Sequence, residues 1–350
     1  MRRPGERREN AGMSVTNGGA SAVANGGASG VVLLPDRDPA GLAEVVPPPF
    51  TAVTYPWGEP MSVPPEVLAE VTVYVPPYMG TPPSGLPLAG MPRLRLVQLL
   101  TVGYEAWRGI AAPPGASPDP AAAPGAGAGT VTVCNAEGVH EESTAEQALA
   151  LILAVLRGVP GDVRAQDAGR WQHSRRQALI DSRVLILGAG NVGRAIAERL
   201  APFGVTVTLA GRSARSGVVA LGSTQYATAL GEADIVILAL PLTEATAQIM
   251  DATALARLRT DTLVVNVGRG GLVDTEALIT EVAAGRLRCA LDVTDPEPLP
   301  PGHPLWALPG ALISPHVGGH STAMGPRARA LLADQCRRLR DGEQVRNVVA

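Results

Sequence analysis

The segment RVLILGAGNVGRAIAERLAPFGVTVTLAGR, residues 183–212, leaves the chain little choice of architecture. An apolar run meets a glycine turn at once, then a helical pattern, then a second β-branched run. That is the order of a strand, a crossover helix and a parallel neighbour. Parallel strands are buried on both faces, so the segment predicts a doubly wound α/β domain. Gly188, Gly190 and Gly193 stand at the strand-to-helix corner, with Asn191 and Val192 between the last two. The first glycine permits the tight turn, the second lets a pyrophosphate approach the backbone, and the third lets helix and strand pack closely. Phosphate then sits over the helix N-terminus.

The strand that follows, VTVTLA (205–210), should end near an acidic residue that holds a ribose 2′-hydroxyl. Here it runs into Gly211, Arg212, Ser213, Ala214 and Arg215. Arg212 and Arg215 offer forked cations and Ser213 a hydroxyl, a set that suits a 2′-phosphate. The expected cofactor is NADP(H) in preference to NAD(H).

Upstream, VVLLP (from residue 31), TAVTYP (51–56), VTVYVPP (71–77), LRLVQLL (94–100) and TVTVCN (130–135) read as short strands of another parallel sheet. The stretch GASPDPAAAPGAGAG (115–129) cannot pack a core and is expected to be a flexible insertion. Residues 1–30 are expected to be a disordered leader, since Asn, Gly, Ala and Ser stand where a signal peptide would place its apolar stretch. Ser143, Thr144 and Glu146 suggest a capping box opening the apolar helix AEQALALILAVLRG, a connector between lobes. Beyond the glycine turn, ADIVILALP (233–241), TLVVNVG (262–268), RCALDV (288–293) and GALISPH (310–316) continue the second sheet.

The fold expected is therefore α/β with two Rossmann-like or flavodoxin-like domains, each a doubly wound parallel sheet, and an active site in the cleft between them. The substrate domain is placed at residues 31–142 plus 322–350, with a returning C-terminal helix near 322–342, and the NAD(P)-binding Rossmann domain at 143–321.

Composition removes whole classes of function. All 29 cationic side chains are Arg and none is Lys, so Schiff-base chemistry and a P-loop lysine are excluded. A net charge of −3 without single-sign blocks argues against nucleic acid as a partner. The longest apolar run, Ala148 to Leu156, has nine residues, about half of what a membrane helix needs, so no membrane partner is expected. Cys134, Cys289 and Cys336 lie far apart without a CxxC spacing and read as buried, reduced thiols of a cytoplasmic protein.

Three residues that a core has no use for stand at strand ends. Arg269 follows TLVVNVG, Glu297 follows RCALDV, and His316 ends ISPH. Ligands of doubly wound sheets bind outside the carboxyl ends of the strands, so the three should converge near the nicotinamide. Arg269 could hold a 2-oxo acid bidentately and polarise its carbonyl, and His316 is the natural proton donor or acceptor at neutral pH. A carboxylate at Glu297 would favour the protonated imidazole. His140, Glu141 and Glu142 read as residues of a helix N-terminus. His320, four residues past His316, is separated from it by Gly318 and Gly319 and makes no metal pair, so no metal is expected. Trp171 and Trp306 are expected at packing or interface positions.

From about Leu94 to about Gly319 the chain resembles the D-isomer-specific 2-hydroxyacid dehydrogenases, which include phosphoglycerate dehydrogenase and glyoxylate/hydroxypyruvate reductase. The resemblance rests on LLTVGYE, AEQALALILAVLR, GAGNVG, PLTEAT (241–246), NVGRGGLVD, LDVTDPEPLP and ISPHVGG, in family order. It implies that Arg269 is the substrate-carboxylate arginine, Glu297 the partner of the histidine and His316 the acid/base. It implies further that Leu240, Pro241, Thr246, Val267 and Gly318 flank the cofactor, that Asp292 contacts the nicotinamide carboxamide, and that the Val102–Gly103 backbone cradles the substrate carboxylate. Tyr78 and Met79 fall where members place a substrate-selecting loop. GRSAR is similar to the NADP-using glyoxylate/hydroxypyruvate reductases, and Glu297 in place of glutamine argues against the formate dehydrogenase branch. A homodimer acting on a small 2-oxo or 2-hydroxy acid is what the resemblance implies. The alternative is a nucleotide-sensing, corepressor-like module with little turnover on the same fold.

Overall fold

The computed structural model describes residues 28–37, 40–57, 62–80, 90–107 and 131–349. The insertion expected at 115–129 lies outside the described residues, as does the expected leader except for its last three positions. The chain divides into two compact units, one running to Val139 and resuming at Ala323, the other spanning His140–Thr322.

In the first unit, β1 (Gly30–Pro35), β2 (Phe50–Tyr55), β3 (Val71–Tyr74), β4 (Leu96–Gln98) and β5 (Thr132–Cys134) form a parallel sheet in the order β2-β1-β3-β4-β5. All five expected strands are present. The single-turn helix α1 (Pro65–Leu68) precedes β3. Consecutive β1 residues serve opposite faces: Val32 and Leu34 join one apolar cluster, Leu33 another. A sheet covered on both sides needs continuous apolar runs, which is why VVLLP shows no polar alternation.

The second unit opens with α2 (Glu141–Arg157) and α3 (Val159–Asp167). Its parallel sheet is built from β6 (Arg183–Leu187), β7 (Thr206–Gly211), β8 (Val218–Ala220), β9 (Ile235–Leu238), β10 (Leu263–Asn266), β11 (Arg288–Leu291) and β12 (Ala311–Ile313). The order is β12-β11-β10-β9-β6-β7-β8, with α4 (Asn191–Leu200), α5 (Thr224–Glu232), α6 (Ala252–Ala256) and α7 (Thr275–Ala283) along the chain between strands. Here too Leu185 and Leu187 face one cluster while Val184 and Ile186 face the other. The three-residue β8 is too short for a pattern and was not anticipated. Finally α8 (Met324–Asp341) returns to the first unit, burying Met324, Ala328, Leu332, Cys336 and Leu339 against its sheet.

One expectation needs correction. The capping box at Ser143 and Glu146 is not formed, because α2 starts earlier, at Glu141. The Ser143 hydroxyl donates to the His140 carbonyl at 3.1 Å instead. Glu141 and Glu142 occupy the first turn, where the helix dipole favours acids, and Glu142 also pairs with Arg199 of α4. His140 makes no side-chain cap; its buried ring lies with Nδ1 2.9 Å from the Gly319 carbonyl.

Candidate active site

The strand order of the second unit reverses at β6, which lies between β7 and β9, and such a switch point is where α/β sheets open a crevice for ligands. The turn after β6 fits a dinucleotide on its own geometry. Gly188 has φ +122°, and a Cβ there would stand 2.4 Å from the Ala239 carbonyl oxygen. A Cβ on Gly193 would lie 1.8 Å from the Gly188 carbonyl, so helix α4 packs onto the turn as closely as glycine alone allows. A Cβ on Gly190 would meet nothing within 4 Å, which leaves open the approach over the first N–H groups of α4, at Asn191 and Val192. Beyond β7, Arg212 and Ser213 are exposed, and Arg215 donates from Nη2 to the Ala189 carbonyl at 2.8 Å. Arg194, which the sequence reading passed over, donates to the same carbonyl from Nε at 3.2 Å. Its place one residue after Gly193 was the signal. Two guanidiniums thus gather at the turn expected to take phosphates.

Past β9, Leu240 and Pro241 lead into PLTEAT, which closes on itself. The Thr246 hydroxyl donates to the Pro241 carbonyl at 2.7 Å and accepts from the Thr243 N–H at 2.8 Å. Buried Val267, at the end of β10, donates its N–H to Leu238 of β9 at 3.1 Å.

Arg269, Glu297 and His316 leave the carboxyl ends of β10, β11 and β12, three adjacent strands. Asn266, a buried amide, shapes the first loop from both sides: Nδ2 donates to the Arg269 carbonyl at 2.9 Å and Oδ1 accepts the Gly268 N–H at 3.1 Å. Arg269 is half-buried, with Nη1 donating to the Gly268 carbonyl at 2.7 Å. Gly270 next to it is pressed against the β11 loop, where a Cβ would come within 1.9 Å of the Thr294 carbonyl. The NVGRGG sequence is thus dictated by the loop it touches.

His316 Nδ1 lies 2.5 Å from Glu297 Oε1, a charge-assisted pair. His316 sits at φ +52°, a conformation that costs a non-glycine residue roughly 1–3 kcal/mol and is found where function maintains it. What holds it is Asp292. The His316 N–H reaches the Asp292 carbonyl at 2.8 Å, and the Asp292 carboxylate takes the Ser314 hydroxyl at 2.6 Å, the Val317 N–H at 3.1 Å and the Gly318 N–H at 2.9 Å. Gln147 of α2 donates to Ser314 Oγ at 2.9 Å. Asp292 therefore organises the histidine loop, and Ser314 and Gln147 are members of the site that sequence reasoning missed. A glutamine standing directly before the apolar run of α2 was the available clue. The loop that carries Glu297 is braced on both sides of it: the Trp306 indole donates to the Pro300 carbonyl at 3.0 Å and the Thr294 hydroxyl to the Pro296 carbonyl at 2.8 Å.

Apart from Gln147, these residues fall within the part of the chain, 149–318, that matches the family model described as "D-isomer specific 2-hydroxyacid dehydrogenase, NAD binding domain". The glyoxylate/hydroxypyruvate reductase B of Escherichia fergusonii is 33% identical over 70% of this chain and 75% of its own length. The chain belongs to the D-isomer-specific 2-hydroxyacid dehydrogenase family. This dehydrogenase is also similar to D-3-phosphoglycerate dehydrogenase of Mycobacterium bovis, at 32% identity over 75% of the chain, and spans about half, 48%, of that relative. A crystal structure of a family member from Xanthobacter autotrophicus Py2 in complex with NADPH and MES superimposes with a TM-score of 0.74, 29% identity, and coverage of 92% of this chain and 98% of that one.

The remaining candidates, Tyr78, Val102 and Gly103, belong to the first unit of the dehydrogenase. Tyr78 is half-buried against that unit's core, while Met79 beside it, at φ +60°, is exposed. All three cysteines are buried and free, and burial pushes their thiols up to about 12, so none supplies a thiolate near neutrality. Among the described residues no group of His, Cys, Asp or Glu could hold a metal ion, and no helix is long and apolar enough to cross a membrane. Trp171 is not packed in its own chain: 97% of its surface is exposed.

Proposed function

We propose that this dehydrogenase reduces a small 2-oxo acid of the glyoxylate or hydroxypyruvate type to the D-2-hydroxy acid, or runs the reverse reaction, with NADP(H) preferred to NAD(H). The observation that carries the reading is the His316–Glu297 pair, held on a left-handed backbone beside the loop of Arg269 and on the sheet that bears the glycine turn.

A nicotinamide dinucleotide, when bound, supplies the hydride. Gly188, Gly190, Asn191, Val192 and Gly193 would hold its pyrophosphate, with Leu240, Pro241, Thr246, Val267 and Gly318 flanking it. Arg212, Ser213 and Arg215 would take the 2′-phosphate. The Arg269 fork binds and orients the acid. Glu297, bonded at Nδ1 of His316, sets the tautomer and leaves Nε2 to give a proton to the developing alkoxide, or to accept one in the oxidative direction. The Val102–Gly103 backbone takes the carboxylate, and Tyr78 lies in the loop that selects its side chain. The working form we propose is a cytoplasmic homodimer; the free thiols fit a reducing compartment, and exposed Trp171 is the kind of surface a second copy covers.

The test is to mix the purified protein with NADPH or NADH and a panel of glyoxylate, hydroxypyruvate, pyruvate and bulkier 2-oxo acids, following loss of nicotinamide absorbance. Turnover of the small acids, faster with NADPH, is expected. Nucleotide binding without turnover of any acid would overturn the enzyme reading in favour of a nucleotide-sensing module.

A further inference from the structure

The loop after β4 carries Val102 and Gly103 and is held by the segment just after β5, which is itself braced by residues near 347. The Thr101 carbonyl accepts the Ala136 N–H at 2.9 Å, and the Val102 carbonyl accepts Asn135 Nδ2 at 3.0 Å. In a trans peptide the C=O and the following N–H point in opposite directions. Tethering the carbonyls of Thr101 and Val102 toward the segment after β5 therefore turns the N–H groups of Val102 and Gly103 the other way. Among the described residues neither N–H meets an acceptor.

Asn135 is held on every side. Its Oδ1 accepts the Glu137 N–H at 3.1 Å, and its own N–H donates to the Asn347 carbonyl at 3.0 Å. Asn347 Nδ2 donates to the Glu137 carbonyl at 2.8 Å from a backbone at φ +59°. The Asn135 carbonyl accepts Gln98 Nε2 at 3.0 Å. Gln98 Oε1 accepts Gln335 Nε2 at 2.9 Å, and Gln335 Oε1 accepts the Arg346 N–H at 2.9 Å. These two glutamines are 1% and 0% exposed, so each amide depends on the other and on the Arg346 backbone. Val349 then donates to the Val133 carbonyl at 2.8 Å, laying the segment along the edge strand β5.

We propose that Asn135, clamped by Asn347 and by the buried Gln98–Gln335 pair, is a positioning residue that aims the Val102 and Gly103 N–H groups at the substrate carboxylate. The segment 346–349 thereby sets substrate affinity without touching substrate. The proposal rests on the reading above that this backbone cradles the acid.

Asn135→Ala removes the tether directly. Asn347→Gly removes the side-chain half of the clamp, the bond to the Glu137 carbonyl, while keeping the backbone carbonyl that accepts the Asn135 N–H and a residue that accepts a left-handed backbone. For each variant, KM and kcat for glyoxylate and hydroxypyruvate, the NADPH dissociation constant by nucleotide fluorescence, and amide exchange of the peptide spanning 99–107 would be measured. One lost hydrogen bond predicts about a tenfold rise in KM for Asn135→Ala and about threefold for Asn347→Gly, with kcat and NADPH affinity nearly unchanged and faster exchange in that peptide. Unchanged KM and unchanged exchange in both variants would overturn the proposal, as would a KM rise matched by an equal loss of NADPH affinity. If the unmodified protein turns over no 2-oxo acid, the functional reading fails, and with it the aim at a carboxylate. Exchange then decides by itself whether the clamp exists.

Discussion

The two units of this dehydrogenase carry candidate ligand contacts of different kinds. In the seven-stranded unit the candidate chemistry belongs to side chains at the ends of adjacent strands: Arg269, Glu297 and His316, with Asp292 organising the histidine loop. In the five-stranded unit the candidate contact is main chain, the N–H groups of Val102 and Gly103. Their direction is set by Asn135, 33 residues from Val102, and by Asn347, a further 212 residues along. A side chain's chemistry is local to its residue. A peptide's direction depends on whatever holds its carbonyl, and that can come from anywhere in the fold.

Predictions from the side-chain half carry the largest effects. His316→Asn, which tolerates the left-handed backbone, should lower kcat by about a thousandfold with NADPH affinity unchanged. Near-normal turnover in stopped-flow assays would break the contrast, since the chemistry would then lie elsewhere. Next, Arg212→Gln should raise the KM for NADPH about tenfold and leave that for NADH little changed. Equal shifts for both cofactors would remove the 2′-phosphate from the account. Arg212 is preferred to Arg215 for this test because Arg215 also braces Ala189.

The smallest effect is a control away from both sites. Glu281 and Arg286 pair at 2.5 Å, and the hydrogen bond from Arg286 holds the Glu281 carboxyl below its ordinary value of 4.5. A carboxyl depressed in the folded state stabilises it above the unfolded value, and that contribution is lost as pH falls through the folded one. Glu281→Gln should therefore lower the melting temperature by about one to three degrees near neutral pH, and the difference from the unmodified protein should shrink below pH 4.5. Differential scanning calorimetry across pH checks this. A constant difference at all pH values would contradict it.

The second unit was largely legible because its signals are contiguous. GAGNVG, NVGRGG and ISPH each carry their strand, their turn and their functional residue within a few positions. What escaped notice there acts across elements: Gln147 on α2 and Ser314 after β12 meet through a hydrogen bond between residues 167 positions apart. The capping box misled because Ser143 and Glu146 have the right spacing, yet the preceding acids already suit a first helical turn, so α2 began sooner. In the first unit, strand texture revealed the sheet but not the amide clamp, since Gln98, Asn135, Gln335 and Asn347 stand in four separate segments with no shared pattern.

By itself the sequence determined the two parallel sheets, the glycine corner and the candidate imidazole, carboxylate and guanidinium, because periodicity, glycine spacing and side-chain chemistry are written in consecutive residues. Tertiary structure alone decided what Asp292 holds, how Gln147 and Ser314 join the histidine loop, and where the Val102 and Gly103 N–H groups point. Those outcomes depend on hydrogen bonds of defined distance and direction between remote segments, and they exist only once the sheets have brought those segments together.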